Sequence, residues 1–176
     1  MTTCLSPSAL PGIDWVKITA GDFIYQEEMS HSLPTFYMAR NPVTNIRFQT
    51  FIDAGAYDVE RWWKGLVCTK PEASRWPQSE RPCTSVNWYE AVAFSRWLSE
   101  QLGFVVRLPT EEEWERAARG RDGRAFPWGD DYKTGYANIN ETLENNGLCN
   151  LKQTTPVGAY PLGASSEGVL DLAGNV

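Results

Sequence analysis

The sequence predicts an α+β fold with two to three helices, short antiparallel strands and long stretches of loop. Three segments carry apolar residues at helical spacing and end at a glycine, whereas the other apolar runs are about five residues long, as strands are. The chain of 176 residues also holds eight Trp, 14 Gly and 11 Pro. That composition favours irregular backbone in which large rings fill the core.

The first strands are expected near the N-terminus, after a flexible tail over residues 1–11. Trp15-Val16-Lys17-Ile18-Thr19 alternates apolar and polar side chains, and Phe23-Ile24-Tyr25 resumes this character after a turn. These two runs predict a hairpin. A further strand is predicted over residues 36–40, because Asn41-Pro42 follows and proline cannot continue a strand ladder.

Two helices are predicted next, each ending at a glycine. The first begins after Thr44 and stops at Gly55, and the second has a capping-box pair in Asn87 and Glu90 before it stops at Gly103. Apolar spacing on the second helix predicts a buried face, which consists of Trp88, Ala91, Val92, Ser95, Leu98 and Leu102.

A third helix is predicted from Thr110, its N-cap, to Gly120. Its Trp114 is expected to point into the core, and the run over residues 104–108 just before it predicts a buried strand. Residues 56–82 are expected to form a structured loop, and residues 129–176 another. Such a long ordered loop usually needs a staple, and a bound cation is the leading candidate.

Charge and composition exclude several classes of function. Acidic residues number 22 against 16 basic ones, so the net charge is −6, and no Lys/Arg-rich run is present. Binding to nucleic acid by bulk electrostatics is therefore not expected. No apolar run approaches the roughly 18 residues of a membrane span, and the N-terminus lacks a secretory signal, so a cytoplasmic location is expected.

The four cysteines, Cys4, Cys68, Cys83 and Cys149, are widely spaced and form no CxxC pair. Since His31 is the only histidine, a zinc site is not expected. In a cytosolic chain, these cysteines are expected to be reduced thiols.

Several motifs stand in a specific order along the chain. They are Asn41-Pro42-Val43-Thr44-Asn45, Pro82-Cys83-Thr84-Ser85-Val86-Asn87-Trp88, Arg107-Leu108-Pro109-Thr110-Glu111-Glu112-Glu113-Trp114-Glu115, Phe126-Pro127-Trp128-Gly129 and Gly168-Val169-Leu170-Asp171-Leu172-Ala173-Gly174-Asn175-Val176. Together they resemble the formylglycine-generating enzyme, or sulfatase-modifying factor, family. The resemblance implies one C-type lectin-like domain over residues 12–176, incomplete at its C-terminus.

The resemblance also implies calcium as a structural cofactor. Asn138, through its side chain, and Ile139, through its carbonyl, look like members of one site. The loop over residues 145–151 should complete that site, and it offers Asn145, Asn146 and Asn150. Calcium prefers oxygen ligands, and this set carries little negative charge, so binding is expected to be weak. The alternative is that these asparagines only cap turns.

A second family calcium site uses backbone carbonyls around Gly174 and Val176, together with a glutamate that follows the Gly-Asn-Val segment in the family. This site is expected to be incomplete here. Glu141 and Glu144 flank the loop. Two alternatives stay open, that they contribute ligands or that they are solvated, and solvation is favoured because exposed carboxylates in loops are usually solvated.

Two functional classes stay open. In the first, the protein is a non-catalytic ligand-binding or interaction module, such as a variable protein of a diversity-generating retroelement or a sensory domain. In the second, it is the N-terminal part of a copper- and oxygen-dependent oxidase that converts a sulfatase cysteine into formylglycine. The family's copper-binding cysteine pair has no counterpart in residues 1–176, so the chain as given is expected to be inactive and the first class is favoured.

A third relative within this resemblance is the sulfoxide synthase of ergothioneine biosynthesis. It joins the same domain to an N-terminal iron-binding helical bundle, which is not expected here because the domain starts near residue 12. The identity of a protein or small-molecule ligand does not follow from the sequence.

Overall fold

The computed structural model describes residues 12–26, 29–142 and 150–176. The predicted tail over residues 1–11 lies outside this part of the chain. Two compact units are present: one contains residues 43–108, and the other contains residues 13–42 and 109–176. Within the described residues, no helix has both the length and the apolar character that a membrane crossing requires. A single domain over residues 12–176 stays a prediction.

The first unit consists of three α-helices: α1 (Asn45–Asp53), α2 (Glu60–Trp63) and α3 (Trp88–Leu102). Rings from all three helices form its core, with Phe51 fully buried and its ring centroid 5.6 Å from that of Trp97 and 5.8 Å from that of Phe94. The short helix α2 lies in the stretch predicted as a loop. With the helix of the second unit, the described residues therefore contain four α-helices rather than two to three.

The capping box of α3 is confirmed. The Asn87 side chain accepts a hydrogen bond from the Glu90 N–H at 3.0 Å, and the Glu90 carboxylate accepts one from the Asn87 N–H at 2.9 Å. Glu90 is buried, and its other oxygen accepts a hydrogen bond from the Tyr57 hydroxyl at 2.5 Å. The pKa of Tyr57 is raised, mainly because the hydroxyl is buried and also because it donates to the Glu90 carboxylate.

The predicted face of α3 is buried only in part. Ser95 and Leu98 are buried as predicted, whereas Trp88 is 62% exposed. The other buried residues of the helix are Glu90, Ala93, Phe94 and Trp97. The apolar spacing placed Trp88, in the first turn, on the buried face of the helix. The aromatic core instead contacts the face that carries Phe94 and Trp97.

The predicted strand over residues 104–108 is also wrong, because the structure has no strand there. Val105 is 85% exposed. Val106 forms hydrogen bonds with the Ser99 hydroxyl through both its N–H, at 2.7 Å, and its carbonyl, at 2.9 Å. A side chain of α3 thus occupies the backbone groups that a neighbouring strand would use.

The second unit contains four short strands and one helix: β1 (Trp15–Ile18), β2 (Gly21–Tyr25), β3 (Met29–Leu33), β4 (Phe36–Ala39) and α4 (Glu111–Arg119). β1 pairs with β4, so that Trp15 lies opposite Ala39, and β2 pairs with β3, so that Gly21 lies opposite Leu33. Both pairs are antiparallel. The predicted strand over residues 36–40 is confirmed as β4.

The predicted hairpin between the first two strands is wrong, since they belong to different sheets. The Arg121 guanidinium occupies the connection between them and donates to the Ala20 carbonyl at 2.7 Å and to the Thr19 hydroxyl at 3.2 Å. It packs directly against Gly21, so that a side chain at this position would displace the guanidinium. The chain therefore turns around Arg121 instead of folding back on β1.

The core of this unit is formed by Val16, Ile18, Ala117 and Val169, with Phe36, Met38 and Leu172 packed against it. Helix α4 contributes Ala117 and buries Glu113, Arg116 and Ala118 as well. The predicted placement of Trp114 in the core is wrong, since this side chain is 46% exposed. Small residues on the buried face let α4 lie close to the strands, whereas Trp114, one turn before Ala117 and Ala118, is half-exposed.

Arg116 is the largest fully buried side chain of this unit, with 1% exposure, and it forms an ion pair with Glu167. Burial alone would raise the pKa of Glu167. Hydrogen bonds from Ser166 and Arg116 outweigh it, so the pKa of Glu167 is lowered overall. The pair fixes the 165–169 turn against α4, because a buried guanidinium without its carboxylate would be costly.

We expect Thr110→Ala to lower the free energy of unfolding by about 1 kcal/mol, because Thr110 accepts from the Glu113 N–H at 3.2 Å and closes the capping box of α4. Thr110→Ser keeps the hydroxyl and is the control. Trp114→Ala should cost no more than Thr110→Ala, since Trp114 is half-exposed. Urea unfolding measures all three, and a loss of about 3 kcal/mol or more for Trp114→Ala would contradict this packing.

Candidate functional site

Three loop segments of the second unit meet around the side chain of Asn175. They are residues 138–141, 153–155 and 171–176, and Asn175 itself is 3% exposed. Its Oδ1 accepts hydrogen bonds from Asn138 Nδ2 at 3.0 Å, from the Thr155 N–H at 2.7 Å and from the Thr155 hydroxyl at 3.0 Å. Its Nδ2 donates to the Thr155 carbonyl at 3.2 Å. One amide thus ties the three segments together.

Asn138 and Ile139, predicted members of one calcium site, lie at this junction. Asn138 Nδ2 also donates to the Gln153 carbonyl at 2.8 Å, and the Asn138 carbonyl accepts from the Asn175 N–H at 3.1 Å. Both protons of the Asn138 amide are therefore used within the protein. The Ile139 carbonyl accepts a hydrogen bond from the Glu141 N–H at 3.2 Å, two residues along the chain.

Gly174, from the second predicted site, lies against the same two residues. A side chain at Gly174 would place its Cβ 2.6 Å from Ile139 Cγ2 and 2.7 Å from the Asn138 carbonyl oxygen. The φ angle of Gly174 is +156°. The structure thus brings Asn138, Ile139 and Gly174 together, although the sequence assigned them to two sites.

The other predicted ligands are less closely placed. Val176 is 83% exposed at the end of the chain, and Asn150 is partly exposed at the start of the 150–155 segment. Asn145 and Asn146 lie outside the described residues, as does Glu144. For these positions, calcium coordination stays a prediction.

Glu141 differs from its predicted solvated state, since it is only 2% exposed. Its Oε1 accepts hydrogen bonds from the Tyr132 hydroxyl at 2.7 Å and from the Gly135 N–H at 2.8 Å. This carboxylate therefore organises the turn before Asn138 from within. A single glutamate in a polar loop gives no sequence signal for such burial.

Asp171 is the charged residue near this junction that the sequence analysis missed. It adopts a positive φ of 55°, which asparagine and aspartate tolerate better than other side chains. Its Oδ2 accepts from the Gly158 N–H at 2.7 Å, and its carboxylate also bonds to the Asn175 side chain. Burial raises the pKa of Asp171 above its usual value, although these hydrogen bonds oppose the rise.

The described cysteines, Cys68 and Cys83, are both free thiols of the first unit. Burial raises the pKa of both, to about 11 for Cys83, and the Glu90 carboxylate adds to the effect. Among the described residues, no three His, Cys, Asp or Glu side chains converge as metal ligands would. Cys4 and Cys149 lie outside the described part of the chain.

A family model described as the sulfatase-modifying factor enzyme 1-like domain matches residues 5–176. The chain belongs to this family. The family membership and fold class predicted from the motifs are thereby confirmed. Membership accounts for the short antiparallel strands, the four helices and the long loops of this sulfatase-modifying factor domain.

Among curated proteins, a hercynine oxygenase from Mycolicibacterium smegmatis is 34% identical over 94% of this chain and 41% of its own length. A formylglycine-generating enzyme from Mycobacterium tuberculosis is 28% identical over 95% of this chain and 70% of its own length. The mouse formylglycine-generating enzyme is 30% identical over 80% of this chain and 47% of its own length. The chain thus spans less than half of the hercynine oxygenase.

Two solved structures share the fold of this domain. CarF has a TM-score of 0.65 and 23% identity, over 94% of this chain and 78% of its own. PvdO from Pseudomonas aeruginosa has a TM-score of 0.57 and 21% identity, over 92% of this chain and 67% of its own. At this level of identity the likeness concerns the fold alone.

We expect Gly174→Ala to lower the free energy of unfolding by about 3 kcal/mol, because it adds a clash with the Asn138 carbonyl to a strained backbone. Gly129→Ala is the matched control: its φ is +144° but nothing lies within 4 Å of the added Cβ. The control should lose only about 1 kcal/mol. Equal losses in chemical unfolding would mean that Gly174 does not approach Asn138 as the structure has it.

We expect Cys83 to react slowly with iodoacetamide, because only the thiolate is nucleophilic and the pKa of Cys83 is raised from 9.0 to about 11. The variant with Cys4→Ser, Cys68→Ser and Cys149→Ser isolates this thiol. Near pH 8 its rate should be about one hundredth of the rate for the same chain unfolded in guanidinium, and it should still rise beyond pH 10. A plateau near pH 9 would contradict the buried environment.

Proposed function

We propose that this domain is part of an oxygen-dependent oxidase. The observation that carries the proposal is the match along nearly the whole chain to two groups of relatives, named hercynine oxygenase and formylglycine-generating enzyme. Both names denote catalysts, and identity to the hercynine oxygenases reaches 36%. This pattern supports the oxidase class over the non-catalytic module that the sequence analysis favoured.

The similarity to hercynine oxygenase also bears on the type of oxidation. The sulfoxide synthases of ergothioneine biosynthesis were the third relative within the family resemblance and were not favoured. The identity of 34% over 94% of the chain returns this class to consideration beside formylglycine generation. Two substrate classes are therefore candidates. One is hercynine together with a thiol, and the other is a cysteine-containing peptide.

The described residues do not themselves fit a copper(I) centre. Among the described residues no three His, Cys, Asp or Glu side chains converge on one point, and burial raises the pKa of both Cys68 and Cys83, so neither is a preformed thiolate for copper(I). In this proposal the residues that bind the metal and activate oxygen belong to other parts of the protein. The described residues supply the fold that supports them, and no step of the oxidation is assigned to Cys68 or Cys83.

We also propose that the Asn138 junction holds a structural calcium ion. In support, both protons of the Asn138 amide are donated to protein acceptors, so its Oδ1 faces away from them and is available as a hard oxygen ligand. Gly174 packs against the Asn138 main-chain carbonyl and the Ile139 side chain at the same junction. The bound ion would supply charge neutralisation and order to loops that contain few strands or helices.

The oxidase proposal is tested on the protein encoded by the complete reading frame that contains this chain. Oxygen consumption is measured with hercynine, cysteine and iron(II), and separately with a sulfatase-type cysteine peptide and copper(I). Oxidised product in either reaction, identified by mass spectrometry, supports the proposal and selects the substrate class. No product above the metal-only controls in both reactions would overturn it and leave the binding module.

A further inference from the structure

We infer that Asn175 positions the side-chain carbonyl of Asn138 for a divalent cation without binding the cation itself. The inference rests on the proposed calcium site and adds a residue that the ligand set does not contain. It follows from three properties of the junction: the saturation of the Asn175 amide, the fixed orientation of the Asn138 amide, and the backbone link between the two residues.

The Asn175 amide has no capacity left for a ligand. An amide oxygen carries two lone pairs, and Asn175 Oδ1 already accepts three hydrogen bonds, from Asn138 Nδ2 and from the Thr155 N–H and hydroxyl. Its Nδ2 contacts the Thr155 carbonyl and the Asp171 carboxylate. With 3% exposure, the side chain is also shielded from solvent ions. Asn175 therefore acts through its neighbours.

The orientation of the Asn138 amide follows from its two acceptors. Its Nδ2 lies 3.0 Å from Asn175 Oδ1 and 2.8 Å from the Gln153 carbonyl oxygen, and both partners only accept at these atoms. A flipped amide would bring Asn138 Oδ1 against two other oxygens, so that three acceptors would meet without a proton. The Asn138 Oδ1 atom is thus held on the opposite side, where a cation can reach it.

The main chains of Asn175 and Asn138 are also linked. The Asn175 N–H donates to the Asn138 carbonyl at 3.1 Å, and the φ of Asn175 is +79°. Because of this left-handed turn, Asn175 contacts Asn138 through both its main chain and its side chain. Gly174 packs against the Asn138 carbonyl and the Ile139 side chain at this contact. Loss of the Asn175 side chain alone should leave the backbone link in place, and only the Gln153 carbonyl would then orient the Asn138 amide.

A positioning role and a merely structural role differ in what they change. Structural support would lower the melting temperature of the metal-free protein and leave the affinity of the folded protein for the cation nearly unchanged. Positioning lowers the affinity, and it does so only while Asn138 is present to be positioned. The side chain that orients a metal ligand typically contributes about 10–100-fold to affinity.

The experiment measures terbium(III) binding to the full chain by luminescence excited through its aromatic rings, with calcium as competitor. Asn175→Gly removes the amide and keeps a residue that tolerates the positive φ. Thr155→Val is the matched control, since it removes one of the hydrogen bonds to Asn175 Oδ1 but not that from Asn138. Asn138→Ala removes the proposed ligand, and the double variant combines it with Asn175→Gly.

We expect Asn138→Ala and Asn175→Gly each to weaken binding by about tenfold or more, the double variant to bind no more weakly than Asn138→Ala, and Thr155→Val to stay close to wild type. Absence of competable binding in the wild-type chain would overturn the calcium proposal, and the inference with it. Wild-type affinity in a folded Asn175→Gly variant, or additive losses in the double variant, would overturn the inference alone.

A second variant covers the case in which Asn175→Gly does not fold, as judged by its melting in a chelator. Asn175→Asp retains the acceptor for Asn138 Nδ2 and gives up the donor to Thr155. Its affinity should equal or exceed that of wild type, because the Asn138 amide stays oriented and a negative charge is added nearby. A tenfold loss in this variant would also overturn the inference.

Discussion

The hydrogen bonds of the Asn175 amide are the interaction on which the loop-rich part of this domain depends. Backbone groups buried outside helices and strands must still find partners, and side chains supply them here. Asn175 serves Thr155 and Asn138, while Glu141 accepts from the Gly135 N–H and Asp171 from the Gly158 N–H. Each of these side chains replaces hydrogen bonds that a sheet would provide. The order of these loops therefore depends on the hydrogen-bonding groups of the side chains more than on apolar packing.

In the first unit, the backbone groups at the helix ends also receive their hydrogen bonds from loops and side chains. Thr44 precedes α1, but its side chain makes no capping bond. The Asn45 and Ile46 N–H groups instead donate to the Arg81 and Ser79 carbonyls, at 2.9 and 3.1 Å. Glu90 combines its capping role with the buried bond from Tyr57. Loop backbone and side-chain carboxylates therefore complete the helix ends, and the aromatic rings supply the apolar area.

Local signals in the sequence predicted local structure well, and long-range pairing poorly. The capping boxes of α3 and α4 need only residues three apart, so Asn87 with Glu90 and Thr110 with Glu113 identified both helix starts. The first strand β1 pairs with β4 and not with the adjacent β2, and no pattern within the strands encodes this choice. At the junction, the family resemblance implied Asn138 and Gly174 as calcium ligands. It assigned no role to Asp171, whose contacts with Gly158 and Asn175 follow only from the fold.

The division of the chain has a consequence for synthesis on the ribosome. Residues 43–108 belong to the first unit, and the second unit is built from residues on both sides of that stretch. Val16 and Ile18 are synthesised early, yet their core partners Ala117 and Val169 are synthesised much later. The N-terminal strands therefore lack part of their core until the 165–169 turn has left the ribosome. Closing so long a loop is entropically costly, and a first unit that is already folded shortens the flexible chain that has to close.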